Sequence, residues 1–265
     1  MKLLLIDGLN LLRRVYEANP SPDTLAKAAG AVKAAASSVK RALKEHAPTH
    51  AFCGMDTALP NWRHGLYARY REGRKPMPQE LREAIPFFLE NLDSLDICHD
   101  SLAGYEAEDA LNAYARLWSL ETKGAPCVVL STDKDVLQLL CYDGVLVRDH
   151  FEEVWRDEAY VGKKYHGLSA KHVGDMLALM GDSVDGVPGV TKVGSKTAAA
   201  LLLEHGDLEG VLNAAASIKG KLGDRLREEA DIARLSRALV TLKHEGEGLM
   251  KFSLSELALQ LPAAS

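Results

Sequence analysis

The sequence has few cysteines, no long apolar run and no excess of positive charge. Its four cysteines are scattered without a C-x-x-C pair, so we expect neither a zinc site nor a disulfide framework, as suits a reducing cytosol. No apolar run approaches the ~18 residues of a membrane span, and Asp7 ends the apolar start too early for a secretory signal. A net charge of −5 gives no overall attraction to nucleic acid, so a polyanion would need a local basic patch.

The composition is that of a globular protein, with 47% hydrophobic and 26% charged residues. In the first half, short apolar runs alternate with amphipathic stretches, a pattern typical of a mostly parallel sheet flanked by helices. The predicted strands are Leu3–Ile6, His50–Gly54, Leu95–Cys98, Cys127–Leu130 and Gly144–Val147. An Ala-rich helix is predicted from Ser21 to about His46, with Pro22 in its first turn. Beyond about residue 157 only helices are predicted, which indicates an α/β domain over residues 1–156 and a helical region over 157–265.

Nine carboxylates fall at positions where a ligand site is expected. They are Asp7, Asp56, Glu106, Glu108, Asp109, Asp133, Asp135, Asp182 and Asp185. Ligands of open parallel sheets bind beyond the carboxyl ends of the strands, where three of these acid groups would project. Mutual repulsion would be relieved by hard cations such as Mg²⁺, and a pair of ions can promote phosphodiester hydrolysis. The alternative is structural, because single acids also cap helices and form turns.

A basic and aromatic stretch covers Trp62–Pro76. It contains five Arg or Lys residues, at positions 63, 69, 71, 74 and 75, against one acid, Glu72. Cations that follow phosphates, interleaved with rings that stack on bases, are typical of single-stranded nucleic-acid binding. The alternative is a solvated helix face with Trp62 and Tyr67 in the core.

A glycine-punctuated segment, Gly186–Ala198, has the form of a helix–hairpin–helix DNA-binding element. Its glycines allow a phosphate to approach the backbone, and the N–H groups that start the next helix can bind the anion. A nucleotide-binding P-loop is excluded, because Ser195 stands where that motif needs Lys and no strand precedes it.

In their order along the chain, these motifs resemble the 5′ nuclease, or flap endonuclease, superfamily. The matching segments are Leu5–Gly8, Tyr70–Pro78, Glu106–Asp109, Ser131–Asp135 and Leu177–Ala198. The chain is similar to the 5′ nuclease domain of bacterial DNA polymerase I. It is closer to the stand-alone exonuclease IX-like proteins, as Val147–Phe151 followed by Trp155 indicates. The resemblance runs from about residue 2 to about residue 243.

The resemblance implies a PIN-like 5′ nuclease fold with a helical arch at about residues 60–92 and a helix–hairpin–helix of the H3TH type. It implies a nuclease that uses two Mg²⁺ ions, for which Mn²⁺ can substitute, to hydrolyse phosphodiester bonds at 5′ flaps or 5′ ends in DNA repair and replication. The first ion would be held by Asp7, Asp56, Glu106 and Glu108, with Asp109 adjoining, and the second by Asp133, Asp135, Asp182 and Asp185.

The resemblance also implies an arch, a DNA grip and a potassium ion. Tyr70, Arg71 and Arg74 match the arch residues that steer and stack near the scissile phosphate. The backbone carbonyls of Leu179, Met180, Pro188, Val190 and Val193 would bind K⁺, and Lys192, Val193, Gly194, Ser195, Lys196 and Thr197 would face the DNA. Branched DNA is the implied partner, together with a DNA polymerase or ligase in repair, for a monomer in the bacterial cytoplasm near the nucleoid.

Two residues depart from the family pattern. Glu108 stands where the family usually has Asp, and Arg71 where it usually has Lys. The extra methylene of Glu108 can displace its carboxylate, and the planar fork of an arginine is not a point charge. Glu108 therefore leaves open the alternative of a branched-DNA-binding protein with weak or vestigial activity. A further alternative is an RNA-directed nuclease of related architecture, against which the helix–hairpin–helix counts.

Overall fold

The computed structural model describes residues 1–57, 60–101 and 103–260. By their internal contacts, the residues form two compact units. The first unit contains the described residues of 1–59, 76–155 and 243–265, and the second contains 60–75 and 156–242. The last five residues of the predicted helical region lie outside the described part. Residues 60–75 therefore belong to the same unit as residues 156–242. After residue 242 the chain returns to the first unit.

The first unit is built on a six-stranded sheet in the order β3-β2-β1-β4-β5-β6. The strands are β1 (Leu3–Asp7), β2 (His50–Met55), β3 (Cys98–Ser101), β4 (Cys127–Leu130), β5 (Val145–Asp149) and β6 (Val154–Arg156). The first five pair in parallel with their neighbours, which confirms the predicted mostly parallel sheet. Strands β1, β2 and β4 are buried throughout, as expected for continuous apolar strands covered on both faces.

Among the described residues, four α-helices of the first unit flank the sheet, and seven further α-helices lie in the second unit. The first group is α1 (Gly8–Glu17), α2 (Leu25–His46), α4 (Gln79–Asp93) and α5 (Ala107–Thr122), and the second is α3 (Trp62–Leu66), α6 (Glu158–Lys164), α7 (Val173–Met180), α8 (Ser195–His205), α9 (Leu208–Ala214), α10 (Lys221–Glu228) and α11 (Ala230–Val240). A core of buried residues joins β1 and β2 to α1, α2 and α4 and includes the fully buried Ile6, Val39 and Phe88. Among the described helices, none is both long enough and apolar enough to cross a membrane.

Two predicted boundaries were wrong and one strand was missed. Leu95–Ile97 is not a strand but the turn that ends α4, because the N–H of Ile97 donates to the carbonyl of Leu92 at 3.1 Å; β3 begins at Cys98. Helix α2 begins at Leu25 rather than near Pro22, because the Thr24 hydroxyl caps it by accepting from the N–H of Lys27 at 3.1 Å. Strand β6 is short and partly exposed, so it carries no apolar signal in the sequence.

The C-terminal segment, residues 243–260, packs on the first unit. The N–H of Ala51 donates to the carbonyl of Leu257 at 2.9 Å, and the N–H of Leu259 donates to the carbonyl of Thr49 at 3.0 Å. The Tyr114 hydroxyl exchanges hydrogen bonds of 3.0 Å with the backbone of Phe252. This segment therefore covers the start of β2 and one side of α5.

The second unit contains the predicted helix–hairpin–helix, which is formed by α7, the loop 181–194 and α8. Two glycines allow the loop to turn back on itself, Gly181 at φ 74° and Gly189 at φ 65°. A side chain on Gly189 would lie 2.3 Å from the backbone nitrogen of Gly181, so only glycine fits this crossing. Helix α11 packs against α7 and so supports the element.

Candidate active site

Asp7 stands at the carboxyl end of β1 and connects three elements of the first unit. Its carboxylate accepts from the N–H of Asn10 at 3.1 Å, which caps α1, and from the hydroxyl of Ser131 at 2.8 Å. Strand pairing explains the second contact, because Ile6 is in register with Leu130, so the residues that follow them, Asp7 and Ser131, lie side by side. Asp7 is therefore held at the sheet edge in one orientation.

Asp56 and Glu106 lie where β2 ends and α5 begins. The carboxylate of Asp56 accepts from the N–H of Ala107 at 2.7 Å, satisfying one of the donors that a helix start leaves open. Gly54 permits this approach, because a side chain there would lie 3.2 Å from Ala107. Glu106 is the residue before α5 and Glu108 is in its first turn, and both are almost fully buried. The start of α5 thus adds two carboxylates beside the end of β2.

Asp109 is held differently from its neighbours. One carboxylate oxygen accepts from the N–H of Glu106 at 3.1 Å, and the other accepts from the N–H of Lys243 at 2.8 Å. The side chain has no exposed surface. Asp109 therefore closes the first turn of α5 and fastens the C-terminal segment to it.

The segment Ser131–Asp135 follows β4 as a run of local hydrogen bonds. The Ser131 hydroxyl accepts from the N–H of Asp133 at 3.0 Å, and the Asp133 carboxylate accepts from the N–H of Asp135 at 2.9 Å. Asn10 fixes the run from α1, because its side-chain oxygen accepts from both the N–H and the hydroxyl of Thr132. Asp135 is buried and begins a short 3-10 helix.

The acids of the first unit influence one another through their charges. The pKa of Asp7 is raised to about 7, first because burial disfavours its charged form and then because Asp56 and Asp133 repel a further negative charge. The hydrogen bonds from Ser131 and Asn10 oppose this rise. The ends of β1, β2 and β4 therefore form an anionic site, which we call the carboxylate edge.

The donor set of the carboxylate edge fits a hard divalent cation. Carboxylate oxygens are the ligands that Mg²⁺ prefers, and a cation would remove the repulsion that raises the pKa of Asp7. In the described parts of the chain, no three His, Cys, Asp or Glu side chains are already close enough together to enclose a metal ion. The case for a cation site therefore rests on the carboxylate chemistry of these ligands and on their position at one edge of the sheet.

The basic stretch of the second unit divides into structural and surface residues. Arg63 is buried, donates through Nε to the carbonyl of Leu239 at 2.8 Å and lies over the ring of Trp62. Tyr70 is also buried and meets the ring of His64 edge-on. Arg63 is thus a packing residue, which sequence could not reveal because its partner is 176 residues away.

Arg71 and Arg74 both approach Asp185. Arg71 Nε donates to Asp185 Oδ1 at 2.9 Å, and Arg74 Nη1 lies 3.6 Å from the same oxygen. The N–H of Arg71 donates to the carbonyl of Asp185 at 2.9 Å. Asp182, the other acid of this loop, accepts from the N–H of Val184 at 3.1 Å. The structure therefore joins two groups of residues that the sequence analysis had assigned to different tasks.

The backbone carbonyls that we expect to bind K⁺ lie on two segments of the hairpin that are in close contact. A side chain on Gly181 would lie 2.7 Å from the Pro188 oxygen, which measures how closely these segments approach. The carbonyl of Leu179 accepts from the N–H of Val190, and the carbonyl of Val190 accepts from the N–H of Val193. The next helix, α8, begins after Gly194, and Lys192 and Lys196 are exposed on either side of that start.

Comparison with known proteins accounts for the whole chain. Residues 2–166 match the family of 5′-3′ exonuclease, N-terminal resolvase-like domain, and residues 168–265 match that of 5′-3′ exonuclease, C-terminal SAM fold. The similarity thus extends past residue 243, where we expected it to end. A flap endonuclease Xni of Psychromonas ingrahamii is 32% identical over 96% of each chain. DNA polymerase I of Bacillus subtilis is 35% identical over 91% of this chain and 28% of its own length.

Solved structures show the same fold. A T5 5′-exonuclease structure described as having divalent zinc ions bound superposes with a TM-score of 0.72, at 19% identity, over 91% of this chain and 90% of that chain. A second structure, T5 D15 protein co-crystallised with metal ions, gives a TM-score of 0.73 at 18% identity, over 91% of this chain and 90% of that chain. Together with the family matches, these findings show that the chain belongs to the 5′-3′ exonuclease family.

Proposed function

We propose that this member of the 5′-3′ exonuclease family is a structure-specific DNA nuclease that hydrolyses phosphodiester bonds at 5′ flaps or 5′ ends. The observation that carries the proposal is the carboxylate edge, where the charges of Asp56 and Asp133 act on Asp7. The chain also matches the family along its length. Flap endonuclease relatives, covered over 96% and 93% of their own length, support the choice of substrate.

The residues of the carboxylate edge would hold the divalent ions. We assign the first ion to Asp7, Asp56, Glu106 and Glu108, and the second to Asp133 and Asp135. When bound, two Mg²⁺ ions, or Mn²⁺ in their place, supply an activated water and stabilise the leaving oxygen. Ser131 keeps the Asp7 carboxylate directed along the sheet edge, and Asn10 keeps the loop that carries Asp133 in place.

Asp109 would support this site by holding the residues that bind the ions. Its two hydrogen bonds to backbone N–H groups hold the first turn of α5, and that turn carries Glu106 and Glu108. We therefore propose that Asp109 orients the two glutamates. Its own oxygens are engaged by the backbone, so its role next to the metal is indirect.

The second unit would supply the contacts with DNA. We propose that Arg71 and Arg74 bind the phosphate to be cleaved, while Tyr70 supports them from the buried side. Lys192, Val193, Gly194, Ser195, Lys196 and Thr197, at the start of α8, would bind the duplex backbone, because N–H groups and lysines there favour an anion. A K⁺ ion would be bound by the carbonyls of Leu179, Met180, Pro188, Val190 and Val193.

The proposed setting is the bacterial cytoplasm, where the protein would act as a monomer on branched DNA. The bacterial origin of the relatives supports this setting. The similarity to DNA polymerase I suggests a task next to a polymerase or ligase during repair or replication. The helix–hairpin–helix favours DNA over RNA as the substrate, because it is an element that binds duplex DNA.

The test is cleavage of a labelled 5′-flap DNA in Mg²⁺, in EDTA and without added metal. Cleavage at the flap junction in Mg²⁺ alone supports the proposal. A matched RNA flap tests the RNA-directed alternative. Tight binding of the DNA flap with no cleavage in Mg²⁺ or Mn²⁺ would instead support a branched-DNA-binding protein, the alternative that Glu108 keeps open.

A further inference from the structure

Asp185 is the centre of a contact between two segments of the second unit that are far apart in sequence. Its side chain bonds Arg71 Nε at 2.9 Å and lies 3.6 Å from Arg74 Nη1, while its carbonyl accepts from the N–H of Arg71. The Asp185 side chain is only 9% exposed and that of Arg71 only 16%. An ion pair so shielded from water is stronger than a pair on the open surface.

The loop that carries Asp185 is tightly folded. The backbone groups of Asp182 and Val187 exchange two hydrogen bonds, of 2.9 and 2.8 Å, which close the loop at its base. Gly186 has a φ of 70°, and a side chain there would lie 3.1 Å from the carbonyl oxygen of Arg69. The loop thus fits closely against the backbone that leads to Arg71.

Arg71 itself has a backbone conformation that needs support. Its φ is 57°, in the left-handed region, which is unfavourable for residues other than glycine. The hydrogen bond from its N–H to the Asp185 carbonyl and the ion pair of its side chain both act on this one residue. The same aspartate therefore fixes both the backbone and the guanidinium of Arg71.

We propose that Asp185 is a positioning residue for Arg71 and Arg74, and that it sets the place at which these arginines meet the phosphate. This inference rests on the proposed function and gives Asp185 a task within the second unit itself, beyond the metal ligation implied by the family resemblance. An arginine suits the task because Nε can bond a carboxylate sideways while the Nη groups lie further along the side chain. A lysine has a single nitrogen and would have to serve either the aspartate or the phosphate.

A double-mutant cycle tests this role. Single-turnover cleavage of a 5′-flap DNA and flap affinity in Ca²⁺ are measured for the wild type, Arg71→Ala, Asp185→Asn and the double variant. We expect each single change to slow cleavage by about 100-fold, as for loss of a charged transition-state contact. The double variant should be no slower than Arg71→Ala by more than about threefold, because coupled residues are not additive. Asp182→Asn combined with Arg71→Ala serves as the control and should be additive.

Amide hydrogen exchange of the metal-free protein provides a readout that needs neither DNA nor cleavage. In Asp185→Asn, the amide of Arg71 should exchange about tenfold faster than in the wild type, since local opening becomes easier. In Asp182→Asn, it should change little, because asparagine retains the oxygen that accepts from Val184. Additive losses in the cycle, or unchanged exchange at Arg71 in Asp185→Asn, would overturn the inference. A wild type that cuts no flap would refute the proposed nuclease function and leave the exchange result to decide the positioning role.

Discussion

The hydroxyl of Ser131 donates to the carboxylate of Asp7 at 2.8 Å across 124 residues of sequence. The contact follows directly from the parallel pairing of β1 with β4, which brings the residues after both strands to the same edge. This hydrogen bond lowers the pKa of Asp7, but burial and the charges of Asp56 and Asp133 raise the pKa by more than the bond lowers it. The balance leaves a carboxyl group that titrates near neutral pH.

The stability of the metal-free protein should therefore depend on Asp7. In the unfolded chain Asp7 ionises at its ordinary pKa of 3.8, and in the folded chain at about 7. Between these values the folded state retains a proton that the unfolded state has lost, so this group destabilises the fold as pH rises. Asp7→Asn removes the titration while an amide oxygen still caps α1.

We expect Asp7→Asn in EDTA to be more stable than the wild type at pH 8 by up to about 4 kcal/mol, with the difference disappearing towards pH 4. Urea unfolding at several pH values measures it. Added Mg²⁺ should stabilise the wild type more than the variant. A difference that does not change with pH would contradict the assigned cause.

Replacing Asp133 or Asp135 by Ala should abolish flap cleavage while binding of the flap survives. These acids would hold an ion rather than the phosphate backbone, and removal of catalytic metal ligands commonly costs several kcal/mol of transition-state stabilisation. Single-turnover rates and binding in Ca²⁺ separate the two effects. Asp143→Ala, at an exposed position after the same 3-10 helix, is the matched control. Full activity in Asp133→Ala would refute the two-ion assignment.

Glu108→Asp tests whether the longer acid limits the enzyme. Glu108 is buried in the first turn of α5, so the length of its side chain decides where its carboxylate stands. If the extra methylene is a handicap, cleavage in Mg²⁺ should be equal or faster in the variant. A loss of more than about tenfold, or 1.4 kcal/mol, would show instead that the surrounding site is adapted to glutamate.

Asp109→Ala should weaken the fold as well as the activity. The change leaves the N–H groups of Glu106 and Lys243 without their acceptor, and a buried unsatisfied donor costs about 1–3 kcal/mol. Urea unfolding measures the loss, and a protease should cut more readily after Lys243 as the C-terminal segment detaches. Glu247→Ala, an exposed change within that segment, should affect neither measurement.

Potassium should strengthen the binding of duplex DNA relative to an equal concentration of a bulky organic cation. Ordinary screening weakens binding equally for both salts, so a difference reports a specific site. In crystals of a DNA complex, Rb⁺ or Tl⁺ should give an anomalous peak beside the carbonyl of Pro188. The absence of both effects would remove the proposed K⁺ site.

The sequence predicted the elements whose signals are local. The strand Cys127–Leu130 matches the structure because an apolar run with two β-branched valines follows Gly124 and Pro126 and ends at the polar segment Ser131–Asp133. The turn at Leu95–Ile97 misled the prediction, because Ile97 is apolar in order to fill the core below α4 rather than to extend a strand. Strand β6 is partly exposed and has no such signal.

Long-range contacts account for what the sequence could not predict in the site. The register of β1 and β4 brings Asp7 and Ser131 together as the motif order suggests. The burial of Arg63 and the bond of Arg71 to Asp185 depend on partners more than 100 residues away. Charge and residue type indicated that Arg63 and Arg71 are both basic surface groups. Only the fold shows that Arg63 is buried in packing and that Arg71 is bonded to Asp185.

The return of residues 243–260 to the sheet affects how the chain folds during synthesis. A ribosome releases the sheet strands and α5 long before it releases the segment that covers His50, Ala51 and Asp109. Until then the start of β2 lacks its neighbouring chain and α5 lacks its tether. The first unit therefore reaches its final form only after the intervening helical residues, 156–242, have been synthesised.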